Sequence, residues 1–233
     1  MNSEATFHPN EELLEGYVQG SLSAGMNVVI SAHVELCEDC QQRSQEMEAT
    51  ASQHWMQAEE EQEPAISADV AAIIRSITSQ PQVRELPERA SAVEEIHMLD
   101  HSVRLPRVLA KVASDGLVWK KLANGINQAS VTLDDKTQCD FLYMKPGSQV
   151  PVHKHQGNEI TLVLDGSFSD ESGMYRQSDF VVRTPDHTHQ PVSEEGCLCF
   201  AVLDSPLTFT SGLARLLNPL LRYRFRRATS IGV

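Results

Sequence analysis

Apolar residues recur at helical spacing through the first eighty positions. Leu13, Leu14, Tyr17 and Val18 share one face of a segment that opens at Asn10 and closes at Gly20. Asn10 is therefore expected to cap a first helix, with Glu11 and Glu12 in the turn where the helix dipole favours acids. Ser23 opens a second helix through Met26, Val29, Ile30 and His33. The polar run that starts at Cys37, CEDCQQRSQEMEATASQHWMQAEEEQE, is rich in good helix formers and free of Gly and Pro until Pro64. A short fourth helix is expected from Ser67 to Thr78, with Val70, Ile73, Ile74 and Ile77 on one stripe.

Residues 79–100 hold two prolines and little periodicity and read as a linker. Beyond them short apolar runs alternate with turn signals: GLVWKKL, ASVTL, CDFLYM, EITLVLDG, SFSDESG, DFVVRT and CLCFAVL. Strands spaced by roughly 8–12 residues without helical interludes predict an all-β barrel or sandwich. The end, ARLLNPLLRYRFRR, turns from apolar to basic and fits a last strand, a short helix or a docking tail. The expected fold class is thus α plus all-β in two domains, residues 1–80 and 101–233, joined by a linker at 81–100.

Charge sharpens that division. Residues 1–89 carry 16 acidic and 4 basic side chains, so they hold −12 of the formal −13. An acidic segment beside a nearly neutral one suggests two parts with different partners, and the first is unsuited to direct nucleic-acid contact, which needs Lys and Arg. No apolar run approaches the length of a membrane span, and the acidic N-terminus has no apolar h-region, so a cytoplasmic protein without membrane contact is expected. Oligomeric state leaves no mark in the sequence.

Five cysteines, an odd number, argue against a disulfide framework in such a chain. The informative cluster is His33-x3-Cys37-x2-Cys40. His33 and Cys37 would share one side of a continuing helix or helix turn. The two-residue gap to Cys40 lets both thiolates reach one tetrahedral ion, and zinc then needs one more ligand. His8, ahead of the first helix, is the best-placed candidate, since His54 lies further along the polar run. A redox dithiol or an incidental pair are the other readings; the redox motif usually follows a strand, which is absent here. An early His followed by H-x3-C-x2-C in a short acidic helical segment resembles the zinc-binding anti-sigma domain, as does the texture from Leu14 through Tyr17, Val18 and Gly20 to Leu22. In that family the helices wrap a group IV (extracytoplasmic-function) sigma factor and block its access to core RNA polymerase.

The β region carries a longer signature. Gly147, His153, His155, Glu159 and Gly166 stand at the spacing of the first cupin motif, G-x5-H-x-H-x3-E-x6-G, with no gap adjusted. Residues i and i+2 of a strand face the same side, so His153 and His155 point together into a barrel, and Glu159 returns from the next strand. Two imidazoles and a carboxylate suit Zn²⁺ or another divalent ion, and Gly166 fits the turn after EITLVLD. The second cupin motif implies a fourth ligand shortly after Pro185, either His189, favoured by its place before Gln190-Pro191, or His187. That motif departs from the usual pattern: Ser178 stands where Gly is common, and the closing Asn is missing. Cys197 and Cys199 alternate on a presumed core strand, where packing is the ordinary role of free Cys.

Together, in this order, the two motifs resemble the ChrR-type anti-sigma factors, with the C-terminal part a cupin (double-stranded β-helix or jelly-roll barrel). The resemblance implies Zn²⁺ at His8, His33, Cys37 and Cys40, sequestration by the N-terminal domain, and release through the cupin in response to singlet oxygen or organic peroxide. It implies no catalysed reaction. The alternative from another class is a metal-dependent cupin dioxygenase with an N-terminal zinc module for assembly.

Overall fold

The computed structural model describes residues 5–57, 67–80, 95–97, 102–185, 187–210 and 212–229. Its first three helices are α1 (Glu11–Val18), α2 (Ala24–Leu36) and α3 (Glu38–Gln57), followed by α4 (Ala68–Thr78). The expected caps are in place: Asn10, Ser23 and Ser67 each accept a hydrogen bond from the backbone N–H three residues on, at Leu13, Met26 and Val70. The second and third helices do not run through as one. Cys37 is extended, at φ −124° and ψ 111°, and breaks the path between them. Of the two expected arrangements at His33 and Cys37, a continuing helix or a helix turn, the chain takes a turn, with two helices meeting at a metal-ligand candidate.

Most of the region read as a linker, together with Glu59, Glu60, Glu61 and Glu63, lies outside the described residues. Within it β1 (Glu95–His97) pairs antiparallel with β2 (Ser102–Arg104), and a short helix α5 (Arg107–Val112) follows. The barrel strands are β3 (Lys120–Ala123), β4 (Ile126–Val131), β5 (Gln138–Met144), β6 (Ser148–Gln149), β7 (His153–His155), β8 (Glu159–Asp170), β9 (Gly173–Arg176), β10 (Phe180–Arg183), β11 (Thr188–His189), β12 (Val192–Ser193), β13 (Cys197–Leu203) and β14 (Leu207–Phe209). The larger sheet runs β3-β4-β5-β13-β8-β12-β6, with β9 and β10 also paired to β8; a smaller sheet runs β11-β7-β14. This is a cupin-like β half-barrel, and side chains from both sheets line an interior cavity of about 110 Å³. The basic C-terminal run forms helix α6 (Asn218–Ala228), whose Leu221 and Arg224 reach that cavity.

Gly166 does not make a turn. It lies inside β8 at φ +70°, and a Cβ there would collide with the Gly196 carbonyl oxygen. The strand therefore bends and runs on, with a register shift opposite Leu198 and Cys199. All seven residues of β13 are buried, because both faces are covered. Cys197 and Cys199 pack inside the barrel with Ile126, Met144, Val163 and Val181. Leu198, Phe200 and Val202 face the helices, in one core with Leu14, Val29, Ile30 and Leu109. Covered faces are why CLCFAVL reads as an unbroken apolar run rather than an alternation.

Hydrogen bonds pin the same interface. Asp134 accepts from Gly25 N in the first turn of α2 at 2.9 Å, and Glu35 pairs with Arg107 at 3.3 Å. Asp179, buried, accepts from Thr6 N at 2.6 Å and Phe7 N at 3.1 Å, while Phe180 N donates to Phe7 O. The chain ahead of α1 is thus strapped along the edge of β10.

Candidate metal centres

The fold brings His8, His33, Cys37 and Cys40 together, with one ligand atom of each within 4.8 Å of the others. His8 arrives from the strapped N-terminal segment, and its Nδ1 lies 3.4 Å from Cys37 Sγ and 3.5 Å from Cys40 Sγ. His33 comes from the last turns of α2, Cys37 from the break and Cys40 from the first turn of α3. The Nδ1 of His33 donates to Ser178 O at 2.9 Å, which turns Nε2 toward the cluster; there, among the described residues, Nε2 is buried with no hydrogen-bond partner. A buried imidazole nitrogen rarely goes unpaired. Burial pushes the His33 pKa down to about 4, with the Ser178 hydrogen bond opposing, so the ring stays neutral and keeps a lone pair for an ion. Burial, reinforced by Cys37, pushes the Cys40 thiol up to about 12. A bound cation would reverse that cost by stabilising the thiolates. Two thiolates and two imidazoles in this space fit a tetrahedral Zn²⁺.

Ser178 is the residue that departs from the cupin pattern. It is buried and adopts φ +75°, the left-handed conformation that a glycine would take without strain. Its backbone is held at both ends, N–H to Val163 O at 2.9 Å and C=O by His33.

A second group, His153, His155, Glu159 and His189, is buried inside the barrel mouth with the same mutual reach. His153 and His155 alternate on β7 and both face inward; Glu159 opens β8 and His189 closes β11. His155 Nε2 lies 3.0 Å from Glu159 Oε2 and 3.1 Å from His189 Nε2. His153 donates Nδ1–H to Pro151 O at 2.9 Å, leaving Nε2 for the centre. Burial drives His153 down to about 4. Burial alone would raise Glu159, but the three surrounding imidazoles, His155 foremost, outweigh it and hold the carboxyl at about 2. Three imidazoles around a carboxylate are a donor set for a divalent cation. His187 is exposed and instead accepts from Thr184 N at 3.2 Å.

Sequence reasoning missed the roles of the residues behind these ligands. Asp170, at the far end of β8, accepts from His189 Nδ1 at 3.0 Å and from Arg183 at 2.7 Å; these bonds overcome its burial and hold it well below the usual carboxylate range. A carboxylate that fixes the tautomer of a ligating imidazole is a common support of metal sites. No spacing rule pointed to Asp170, 19 residues from His189; Ser178 stood out only as a departure from the cupin pattern, and nothing there marked its bond to His33 across 145 residues.

A helical His/Cys module packed on a cupin half-barrel with its own His/Glu cluster defines a two-site protein of the anti-sigma–cupin class. Residues 109–205 match the family described as the ChrR Cupin-like domain. The chain is 30% identical over 221 residues to the anti-sigma-E factor ChrR of Cereibacter sphaeroides, covering 92% of this chain and 97% of that one. It also shares the fold of the ChrR chain in the crystal structure of Rhodobacter sphaeroides SigE with the anti-sigma ChrR, with a TM-score of 0.67 at 23% identity over 86% of this chain and 99% of that one. The chain belongs to the ChrR family of anti-sigma factors, regulators rather than enzymes, and the dioxygenase alternative gives way to it. Among the described residues no helix is long and apolar enough to cross a membrane.

Proposed function

We propose that this chain sequesters a group IV sigma factor in the cytoplasm through residues 1–80 and releases it on an oxidative signal read by residues 101–233. Zn²⁺ held by His8, His33, Cys37 and Cys40 keeps α1, α2 and α3 together; a divalent ion, Zn²⁺ or another, is held by His153, His155, Glu159 and His189. The observation that carries the partner half of this reading is α4. Its apolar stripe is turned outward, with Val70, Ile73, Ile74 and Ile77 exposed by 46–61% and no residue of the helix buried. Such a stripe on a helix of an anti-sigma factor suits an apolar groove on a protein partner. The negative charge of residues 1–89 complements a basic, DNA-binding partner and would steer the encounter, an effect that salt weakens.

The test is co-purification of the full chain with sigma factors, coupled to metal analysis. A one-to-one complex with two metal equivalents that dissociates under singlet oxygen or an organic peroxide is expected. Glu159→Ala should keep the complex, lower the metal to one equivalent and blunt release. Absence of any sigma factor, or full oxidant response in that variant, overturns the reading.

A further inference from the structure

The two candidate centres are joined by one segment of chain, residues 173–183, which runs along β8 as β9, a turn and β10. From β10, Arg183 donates to Asp170, the carboxylate that holds His189. The same guanidinium donates to the hydroxyl of Tyr175 on β9 and lies 5.1 Å from its ring centre. Tyr175 is 2% exposed, and its ring meets that of Phe7 at 4.9 Å. Phe7 precedes His8, the ligand that no helix of its own positions. At the turn of the segment, Asp179 holds the Thr6 and Phe7 amides and Ser178 holds His33.

We propose that Asp170, Arg183 and Tyr175 are positioning residues that make the grip of the N-terminal centre depend on occupancy of the cupin centre. This rests on the reading of both clusters as metal sites. His189 would help hold a cation, which would polarise its ring and strengthen the Nδ1–H bond to Asp170. Asp170 so held fixes the fork of Arg183, and Arg183 fixes the Tyr175 ring against which Phe7 seats. With the cupin centre empty, His189 no longer anchors Asp170, and the Arg183–Tyr175 pair is free to shift away from Phe7. His8 is then the ligand to loosen, because α2 and α3 hold the other three. Coupling of this kind is reciprocal: each centre tightens the other by the same factor.

The experiment uses the full chain and Co²⁺ as the probe ion. Of the two ligand sets only that of Cys37 and Cys40 contains thiolates, so the thiolate-to-cobalt band reports the N-terminal affinity in a chelator competition while both centres are available. Disabling the cupin centre with His153→Ala and Glu159→Ala should weaken the N-terminal affinity on the order of tenfold, within the usual range of inter-site coupling. Tyr175→Phe keeps the ring and removes the hydroxyl; it should still bind two equivalents, yet the same disablement should change its N-terminal affinity less than about twofold. Phe7→Ala, at a ring already partly exposed, should also lose the dependence and guards against a folding defect at Tyr175. Undiminished coupling in both variants, or none in the parent, overturns the proposal. Failure of the thiolate band to develop at all refutes the metal reading on which it rests.

Discussion

Gly25 is a position where the helical part and the barrel approach closely. A Cβ built there would lie 2.7 Å from Cys139 Sγ and closer still to Thr137 Oγ1. Neither neighbour yields easily. The Thr137 hydroxyl donates to Asp134 Oδ1 at 2.9 Å, and Cys139 is wholly buried on β5. An ordinary separation is about 3.5–4 Å, so in Gly25→Ala the N-terminus of α2 must lift by about 1 Å. That motion stretches the bond from Gly25 N to Asp134 Oδ2, now 2.9 Å. Overpacking of this kind costs about 1–3 kcal/mol, and a weakened bond to a charged acceptor about 1–2 kcal/mol. The better helix propensity of Ala returns about 1 kcal/mol. The net loss is about 1–4 kcal/mol, which for a chain of this size is a fall in Tm of roughly 2–16 °C.

Calorimetry on the metal-loaded full chain measures that fall, and amide exchange locates it at α2 and the 177–180 turn. Thr137→Ala removes the nearest clashing atom. A double-mutant cycle between the two sites should therefore show a favourable coupling of about 1 kcal/mol. An unchanged or higher Tm in Gly25→Ala, or a cycle without coupling, would mean that propensity outweighs the clash and that the docking is looser than these contacts require.

Three further outcomes are expected. Cys40→Ala removes a thiolate from the N-terminal centre, so it should lose one metal equivalent and all sigma-factor sequestration; unchanged binding would sink the structural role of that centre. Ile73→Asp with Ile77→Asp should leave Tm within about 1 °C, because exposed positions carry little stability, yet weaken the sigma complex by at least about tenfold if the stripe is a hot spot; titration against the purified partner decides. In chelator-treated protein, His33 and His153 have folded pKa values near 4, below their ordinary 6.5. Their unfolded forms take up protons first, so thermal stability should be intact near neutrality and fall as pH drops through the window from about 6.5 to 4. A Tm that is flat or rising across that window contradicts the burial assigned to these rings.

What the sequence disclosed was local. Asn10, Ser23 and Ser67 announced their helices because a cap acts over three residues, and the residues of both candidate clusters stood out because two- and four-residue offsets have fixed meanings on strands and helix turns. Gly166 misled for the same reason: a glycine after an apolar run signals a turn, while its actual cause is the Gly196 carbonyl pressed against it from the neighbouring strand. At Cys37 the choice between a continuing helix and a turn stayed open, since nothing in HVELCEDC marks the backbone break that aims its sulfur.

The contacts that make one molecule of two parts have no period at all. Asp134 reaches Gly25 across 109 residues, and Asp179 reaches Thr6 across 173. The charge step near residue 89 divides the chain by composition, but the buried core does not divide there, because Val29 and Ile30 of α2 lie in one cluster with Phe200 and Val202 of β13. Lifting the helices off the barrel would expose that shared face. The helical part is therefore held in its described arrangement by the barrel as well as by the contacts within its own His/Cys cluster. A change inside the barrel need travel only the width of β8, β9 and β10 to be felt at His8 and His33.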